Sequence, residues 1–447
     1  MMQHVIIIGN GVSGVTAARH IRKQSDCRIS IISSETEYFF SRTALMYIYM
    51  GHMKYEHIKP YEDDFWEKNN IELVFDRVTS IDFDNRALAL GKGRFTYYDS
   101  LILALGSKPN KFGWPGQDLD GVGGLFSYQD LEKMEKHTKD IKRGVIVGGG
   151  LIGVEMAEML LSRGIEVTFL VREDAFWANV LPIQESELIS RHMRKHHVDL
   201  RFGDELQEII SNENGKAKAI LTKSGETIEC GWVGLTAGVS PNIDFVKDTA
   251  LETQRGIMVN LKLETNIPNV YAIGDCAQFH EPVAGRRAME QVWYTGKIMG
   301  EVVAKTITGT PTEYNPGNWY NSAKFFDIEY QTYGWVFAKL REGEADFYWE
   351  HKDGEKCIHF VFNKETRQFI GVNTFGIRLR HKVFDKWLTD KVSIEHILEH
   401  LKDANFDPEF YNQHEEEIIN KFNTEQNTQL KVKKKNWKRI LEALKTI

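Results

Sequence analysis

Six glycines in two triads carry the first chemistry this chain could do. "HVIIIGNGVSGVTAARHIR" holds Gly9, Gly11 and Gly14, and "GVIVGGGLIGVEMAEMLLSRG", from Gly144 on, holds Gly148, Gly150 and Gly153. Each copy reads as a buried strand, a glycine turn and a small-residue helix. In such a turn the first glycine permits the tight bend, the second lets backbone approach a pyrophosphate, and the third lets helix pack on strand. The helix start turns free N–H groups and a positive dipole end towards the phosphates. Ser13 in the first copy, and Leu151 and Ile152 in the second, complete the candidate phosphate loops. One glycine pattern of this kind is weak evidence. Two copies, each between an apolar strand and a helix, predict two dinucleotide sites.

An acidic side chain ending the second strand of such a unit suits ribose hydroxyls. After "CRISIISSE" that residue is Glu35, with Ser34 the alternative by register. In the second copy "EVTFLVRED" puts Val171 at the corresponding position and Arg172 next. An arginine there fits a 2′-phosphate and leans the site towards NADPH over NADH. Glu173 and Asp174 follow at once, so a solvated turn arginine is the other reading.

The elements that hold these loops are bounded by the whole chain. Its 447 residues exceed one core and suggest roughly three domains of about 150 residues. A formal net charge of −7 argues against nucleic-acid binding, which needs a basic face. The four cysteines, Cys27, Cys230, Cys276 and Cys357, are far apart and form no CxxC. Neither a disulfide scaffold nor a zinc site is expected, and none of the 15 histidines falls in a metal-ligand spacing, so no metal is expected. The start "MMQHVIIIGNG" lacks a signal-peptide pattern, and no apolar run approaches the roughly 20 residues of a membrane span. A cytoplasmic setting is the expectation.

These residues resemble the two-dinucleotide flavoprotein reductases of the pyridine nucleotide-disulfide oxidoreductase family, which bind FAD first and NAD(P)H second. Three further motifs support the resemblance. "YDSLILALGSKP", with Ala104, Leu105 and Gly106, is similar to the segment closing the first FAD portion. "VGLTAGVSPN", with Ala237 and Gly238, is similar to the return from the NAD(P) domain. "IPNVYAIGDCAQF" is similar to the second FAD motif, whose aspartate, here Asp275, bonds the ribitol chain while Gly274 admits the phosphate. The implied fold is α/β: two Rossmann-like dinucleotide-binding domains, a small α+β C-terminal domain and a C-terminal amphipathic helix. The FAD domain is split over 1–112 and 240–312, with an NAD(P)H domain at 113–239 inserted. A C-terminal interface domain covers 313–410, and a polar linker and basic tail cover 411–447. The interface domain often pairs two subunits in this family, so a homodimer is open.

Family members with thiol chemistry carry a redox cysteine at the start of the helix after the first unit. Here "YFFSRTALMYIYMGHM" has Ser41, Arg42 and Thr43 and no cysteine, which excludes thiolate chemistry at that helix. The resemblance therefore points to a cysteine-free branch: ferredoxin and rubredoxin reductases, nitrite-reductase flavin domains and apoptosis-inducing-factor-like proteins. In that branch an arginine at this point, here Arg42, lies against the FAD phosphates, where a bidentate guanidinium fits. The alternative is a helix-start arginine in water. Some of these relatives place a lysine five residues on, paired with a glutamate near the nicotinamide. The glutamate matches Glu155, but the lysine position is Tyr47. Without the lysine, Glu155 is left to contact the nicotinamide ribose or Arg42. No other residue is assigned a catalytic role.

The resemblance implies an enzyme in which hydride passes from NAD(P)H to flavin N5, while the protein supplies orientation and electrostatics. The helix starting near "AMEQVWYTGK" would aim amides around Gln291 and Val292 at the flavin's pyrimidine edge. Trp293 and Trp319 are candidate lids over the flavin, with core packing the alternative. Electrons would then leave to a ferredoxin- or rubredoxin-type protein or to a membrane quinone. A signalling or scaffold flavoprotein with slow turnover is the reading from a different class. The last segment, "LKVKKKNWKRILEALKTI", places Trp437, Ile440, Leu441, Leu444 and Ile447 on one apolar stripe among lysines. Peripheral membrane contact through residues 430–447, docking on the chain's own third domain and docking of an acidic carrier all fit that pattern.

Overall fold

The computed structural model describes residues 3–407, 409–410 and 412–433. It divides into two compact units, Met1–Asp174 with His196–Gly317, and Ala175–Lys195 with Asn318–Ile447. In chain order its elements begin with β1 (His4–Ile8), α1 (Val12–Gln24), β2 (Arg28–Ser33), α2 (Leu45–Tyr49), β3 (Ile71–Phe75) and β4 (Ser100–Leu103). Then come β5 (Val122–Gly123), β6 (Arg143–Val147), α3 (Leu151–Ser162), β7 (Glu166–Val171), α4 (Ile183–Lys195), β8 (Asp199–Phe202), β9 (Trp232–Leu235), β10 (Val270–Ala272) and α5 (Trp293–Ile307). The chain continues through β11 (Tyr320–Phe325), β12 (Ile328–Gly334), β13 (Glu344–Glu350), β14 (Cys357–Asn363), β15 (Phe369–Phe375) and α6 (Glu415–Gln426).

The first unit repeats one design. Its first sheet runs β10-β4-β1-β2-β3 and its second β8-β7-β6-β9-β5, parallel throughout. In both, the strand before the glycine turn lies between the next strand and the returning one, which is the switch point where a parallel sheet opens a crevice. Continuous apolar runs explain the placement, since a central parallel strand is covered on both faces. Val5, Ile6 and Ile7 in β1, and Val145 and Ile146 in β6, are fully buried. The "NENG" and "KSGE" turns expected between strands are present, with Gly215 and Gly225 at positive φ.

In the second unit an antiparallel sheet runs β11-β12-β15-β14-β13. The expected Asp353–Gly354 turn joins β13 to β14, with Glu350 opposite Cys357. Phe347, Phe360, Phe362 and Phe384 make its core, and Ile418, Ile419 and Phe422 of α6 join the same cluster. The segment read as polar thus contributes three buried apolar side chains. Leu430 and Val432 also pack on this core. The basic amphipathic helix expected beyond them falls on residues 434–447, outside the described residues. Among the described residues no helix is long and apolar enough to cross a membrane.

Candidate functional site

Each glycine of the first triad has a separate physical reason. Gly9 has φ +112°, and a Cβ there would stand 2.1 Å from the Ala104 carbonyl oxygen. A Cβ on Gly14 would stand 2.1 Å from the Gly9 carbonyl oxygen, so only glycine lets α1 settle on the end of β1. Gly11, at the N-cap of α1, has nothing within 4 Å of its Cβ position. It is the open side of the turn, where backbone can approach a ligand. The register agrees: Gly9 N–H donates to Ile32 O at 2.8 Å, and Ala104 N–H donates to Ile8 O at 2.9 Å.

Ser13 gathers the second FAD segment onto this turn. Its Oγ would lie 2.5 Å from a Cβ on Gly274 or on Gly296, and its carbonyl oxygen 2.6 Å from one on Gly300. Gly274 was expected to admit a phosphate; what the structure shows is that it permits this close approach to α1, a reason the motif does not reveal. Asp275 accepts a 2.9 Å hydrogen bond from Ser107 Oγ, which in turn accepts one of 2.7 Å from Gln291 Nε2. Ser107 was not among the expected residues, and its only sequence signal is its place directly after Gly106. Burial pushes the Asp275 carboxyl above the usual carboxylate range, against the Ser107 hydroxyl and the Arg42 charge, which pull it down. The helix expected around Gln291 and Val292 begins at Trp293, with Val292 as its N-cap. Trp293 is among the exposed large hydrophobic residues, and Trp319, in the second unit, stacks on Trp335 at 4.8 Å between ring centroids.

Glu35 and Arg42, expected at ribose and phosphate respectively, are brought together. Arg42 Nη1 and Nη2 donate to the two Glu35 carboxylate oxygens at 2.8 and 2.7 Å. Glu35 Oε1 also accepts from the Tyr128 N–H at 2.9 Å. The guanidinium lies over the Phe126 ring, 4.5 Å from its centroid, and also donates to the Phe126 carbonyl oxygen. Arg42 is therefore paired and stacked instead of reaching freely into water. Thr43 is exposed, with its hydroxyl 3.3 Å from that of Ser41. Ala104, Leu105 and Gly106 continue from β4, and Gly106 turns at φ +67° with open space at its Cβ position.

The second triad repeats the first. Gly148 has φ +122°, and its Cβ would meet Thr236 backbone at 2.7 Å; a Cβ on Gly153 would meet Phe169 at 2.6 Å and Thr236 Oγ1 at 2.9 Å. Gly150 again has nothing within 4 Å. Thr236, one residue before the expected Ala237 and Gly238, closes the turn by donating Oγ1 to Val147 O at 3.1 Å. Leu151 and Ile152 open α3 and are partly buried. Glu155 lies on the next residues of that helix, and burial together with the like charge of Glu158 pushes its carboxyl up to about 7. It makes neither hydrogen bond nor ion pair among the described residues, so the contact with Arg42 left open by the sequence is absent. Arg172 is largely exposed and pairs with Glu173 at 2.8 Å.

All four cysteines are free thiols. Burial pushes Cys230 and Cys276 up to about 12 and raises Cys357 as well. A thiol so shifted stays protonated and is a poor nucleophile. The two open-sided turns, the half-buried Asp275 and the Arg42 charge that acts on it fit a diphosphate-bearing flavin dinucleotide in the first sheet and a second dinucleotide at the other.

A family model described as pyridine nucleotide-disulphide oxidoreductase matches residues 3–299. Nitrite reductase [NAD(P)H] of Bacillus subtilis is 28% identical over 380 residues, 84% of this chain and 46% of that protein. The chain therefore spans about half the length of that relative. NADH-rubredoxin oxidoreductase of Clostridium acetobutylicum is 32% identical over 281 residues, 62% of this chain and 68% of that protein. A crystal structure of a ferredoxin reductase from Rhodopseudomonas palustris shares the fold, with a TM-score of 0.77 at 24% identity, covering 91% of this chain and 96% of that one.

Proposed function

The chain belongs to the pyridine nucleotide-disulphide oxidoreductase family, and from that footing we propose an FAD-dependent NAD(P)H oxidoreductase. Its electrons go to a ferredoxin- or rubredoxin-type carrier protein, without a redox cysteine. The observation that carries the reading is the pair of matching turns in which only Gly11 and Gly150 of each triad face open space. Two such turns in one unit suit two dinucleotides, and the NADH-rubredoxin oxidoreductase relative supports the type of acceptor.

In this reading Gly9, Gly11, Ser13 and Gly14 hold the FAD diphosphate against the N-terminus of α1. Asp275 holds the ribitol chain, with its carboxyl oriented by Ser107 and Gln291. Arg42, kept flat by Phe126, supplies positive charge beside them. Gly148, Gly150 and Gly153 hold the NAD(P)H diphosphate, and Glu155 lies near the nicotinamide. FAD held there would supply two-electron acceptance and one-electron release, the chemistry needed between a nicotinamide donor and a one-electron carrier. The buried cysteines support direct delivery with no thiol relay.

The test is anaerobic mixing of the purified full chain, flavin bound, with NADH or NADPH while flavin absorbance is followed. Rapid bleaching, then rapid recovery on adding ferredoxin or rubredoxin, is the expected result. Bleaching over minutes with both nucleotides would sink the proposal and favour a slow-turnover signalling role. Recovery with quinone vesicles alone would overturn the carrier-protein assignment.

A further inference from the structure

Two imidazoles and a carboxylate converge in the second unit, where no dinucleotide motif lies. His351 is the first residue after β13, in the turn to β14. His414 is the N-cap of α6, and Glu417 follows on its first turn. One ligand atom from each lies within 4.8 Å of the other two. Residues i and i+3 share a helix face, so His414 and Glu417 point together while the β13–β14 turn brings His351 from 63 residues away in sequence. That separation is why no spacing rule over the histidines reveals the cluster.

We propose that His351, His414 and Glu417 form a binding site for a divalent transition-metal ion, zinc by preference, that fastens α6 to the β13–β14 turn. Two imidazole nitrogens and one carboxylate oxygen suit zinc far better than magnesium or calcium, which take oxygen donors. Zinc–ligand bonds of about 2.0–2.2 Å put donor atoms roughly 3.4 Å apart in a tetrahedron. Rotation of the exposed Glu417 side chain and small turns of the two rings supply the remaining closure.

Two features around the cluster favour a metal over a chance meeting. Asp353 places Oδ2 2.9 Å from His351 Nδ1. The Asp353 backbone N–H also lies 3.4 Å from the same nitrogen, so Asp353 fixes the ring in place, and an outer carboxylate in this position is a recurrent partner of metal-bound histidines. His414 is partly buried and packs against Trp349, 5.3 Å between ring centroids, which limits the orientations its ring can take. The rings of His351 and His414 are 4.9 Å apart. The helix dipole accounts for an acid in the first turn of α6, where Glu415 and Glu416 also lie, but not for two imidazoles converging on Glu417. Lys356 pairs with Asp353, so Glu417 and Asp353 against this lysine leave the surroundings net negative towards a dication. Three protein ligands leave one tetrahedral position for water.

The experiment uses the full chain with its flavin, free of any affinity tag and stripped with a chelator. Isothermal titration with zinc chloride against a competing chelator is expected to show one tight equivalent, with magnesium giving none. His414→Ala and Glu417→Gln are each expected to weaken zinc binding at least tenfold with circular dichroism and flavin spectrum unchanged. Asp353→Asn is expected to weaken it about 10–100-fold. Glu417 is exposed, so its variant reads binding without a folding defect. Absence of zinc uptake at micromolar concentrations, or uptake unchanged in either ligand variant, overturns the proposal.

Discussion

Gly148 and Gly150 are two residues apart, yet alanine should affect them in opposite ways. At Gly148 the new Cβ lies 2.7 Å from the Thr236 carbonyl group and 2.8 Å from the Ala237 nitrogen, all backbone atoms that have nowhere to go. Holding alanine at φ +122° costs roughly 1–3 kcal/mol in strain. Crowding adds about 1–3 kcal/mol, so Gly148→Ala should lose on the order of 2–6 kcal/mol of folding stability. At Gly150 φ is −117° and nothing lies within 4 Å, so alanine fits without strain. A stiffer unfolded chain adds about 0.4–1 kcal/mol, and a poorer helix N-cap takes a similar amount back. The fold should hardly notice. The methyl group nonetheless occupies the side from which a diphosphate must approach, and NADH binding should weaken at least tenfold, about 1.4 kcal/mol. Thermal melting and nucleotide titration of both variants make the test. A Gly150→Ala protein that melts earlier than Gly148→Ala, or that binds NADH like the parent, would refute the division of labour within the triad.

A charge-assisted contact from Arg42 to the FAD diphosphate would be worth about 1.5–3 kcal/mol, so Arg42→Ala should loosen FAD by roughly 10–100-fold, read by flavin release on dilution. Glu173→Ala frees the Arg172 guanidinium from its 2.8 Å partner and should raise the preference for NADPH, while Arg172→Ala lowers it, both read as kcat/KM ratios for the two nucleotides. Burial draws His359 down, but the Asp346 and Glu185 carboxylates outweigh it and raise the imidazole from 6.5 to about 9. The folded state therefore binds the extra proton between those values, so its contribution is complete below pH 6.5 and is lost as pH rises through 9. Urea melts of wild type and His359→Gln should differ most at pH 6 and converge near pH 10, a span on the order of 3 kcal/mol.

What the sequence made legible was local. A glycine turn between strand and helix obeys constraints set by neighbours in the chain, so both triads, Gly106, Gly238 and the Asp353–Gly354 turn stand where the pattern put them. What it hid was set by packing across the sheets. Thr236 and Ser107 act only because β9 and β4 return beside the glycine turns. Gly274, Gly296 and Gly300 are glycines because Ser13 and its neighbours on α1 press against them, a demand that no motif carries. The Glu35–Arg42 pair joins two residues read separately as ribose and phosphate ligands, since spacing does not say that a turn folds one onto the other. Polar composition likewise concealed Ile418, Ile419 and Phe422 in α6, because three apolar residues suffice to dock a short helix.

One substitution links these local and long-range readings. The resemblance implies, for some members, a lysine paired with the glutamate that Glu155 matches, but here position 47 is a tyrosine that stacks on His52, 6.2 Å between centroids. Arg42 does not compensate, being held by Glu35. Glu155 is left without a cation, which is why burial and Glu158 raise it from 4.5 to about 7. A carboxyl raised in the fold binds more protons than in the unfolded chain between those values, so it costs stability as pH rises from 4.5 to 7. Near neutral pH it also exchanges a proton on the first turns of the nucleotide helix. The rate of NADH-driven flavin bleaching should accordingly show an inflection near 7, absent in Glu155→Gln. Tyr47→Lys should move that inflection down by about 1–3 units, the effect of an opposite charge at close range, and make the chain more stable at pH 8. An inflection that survives Glu155→Gln would assign the titration to another group and remove Glu155 from the nicotinamide's surroundings.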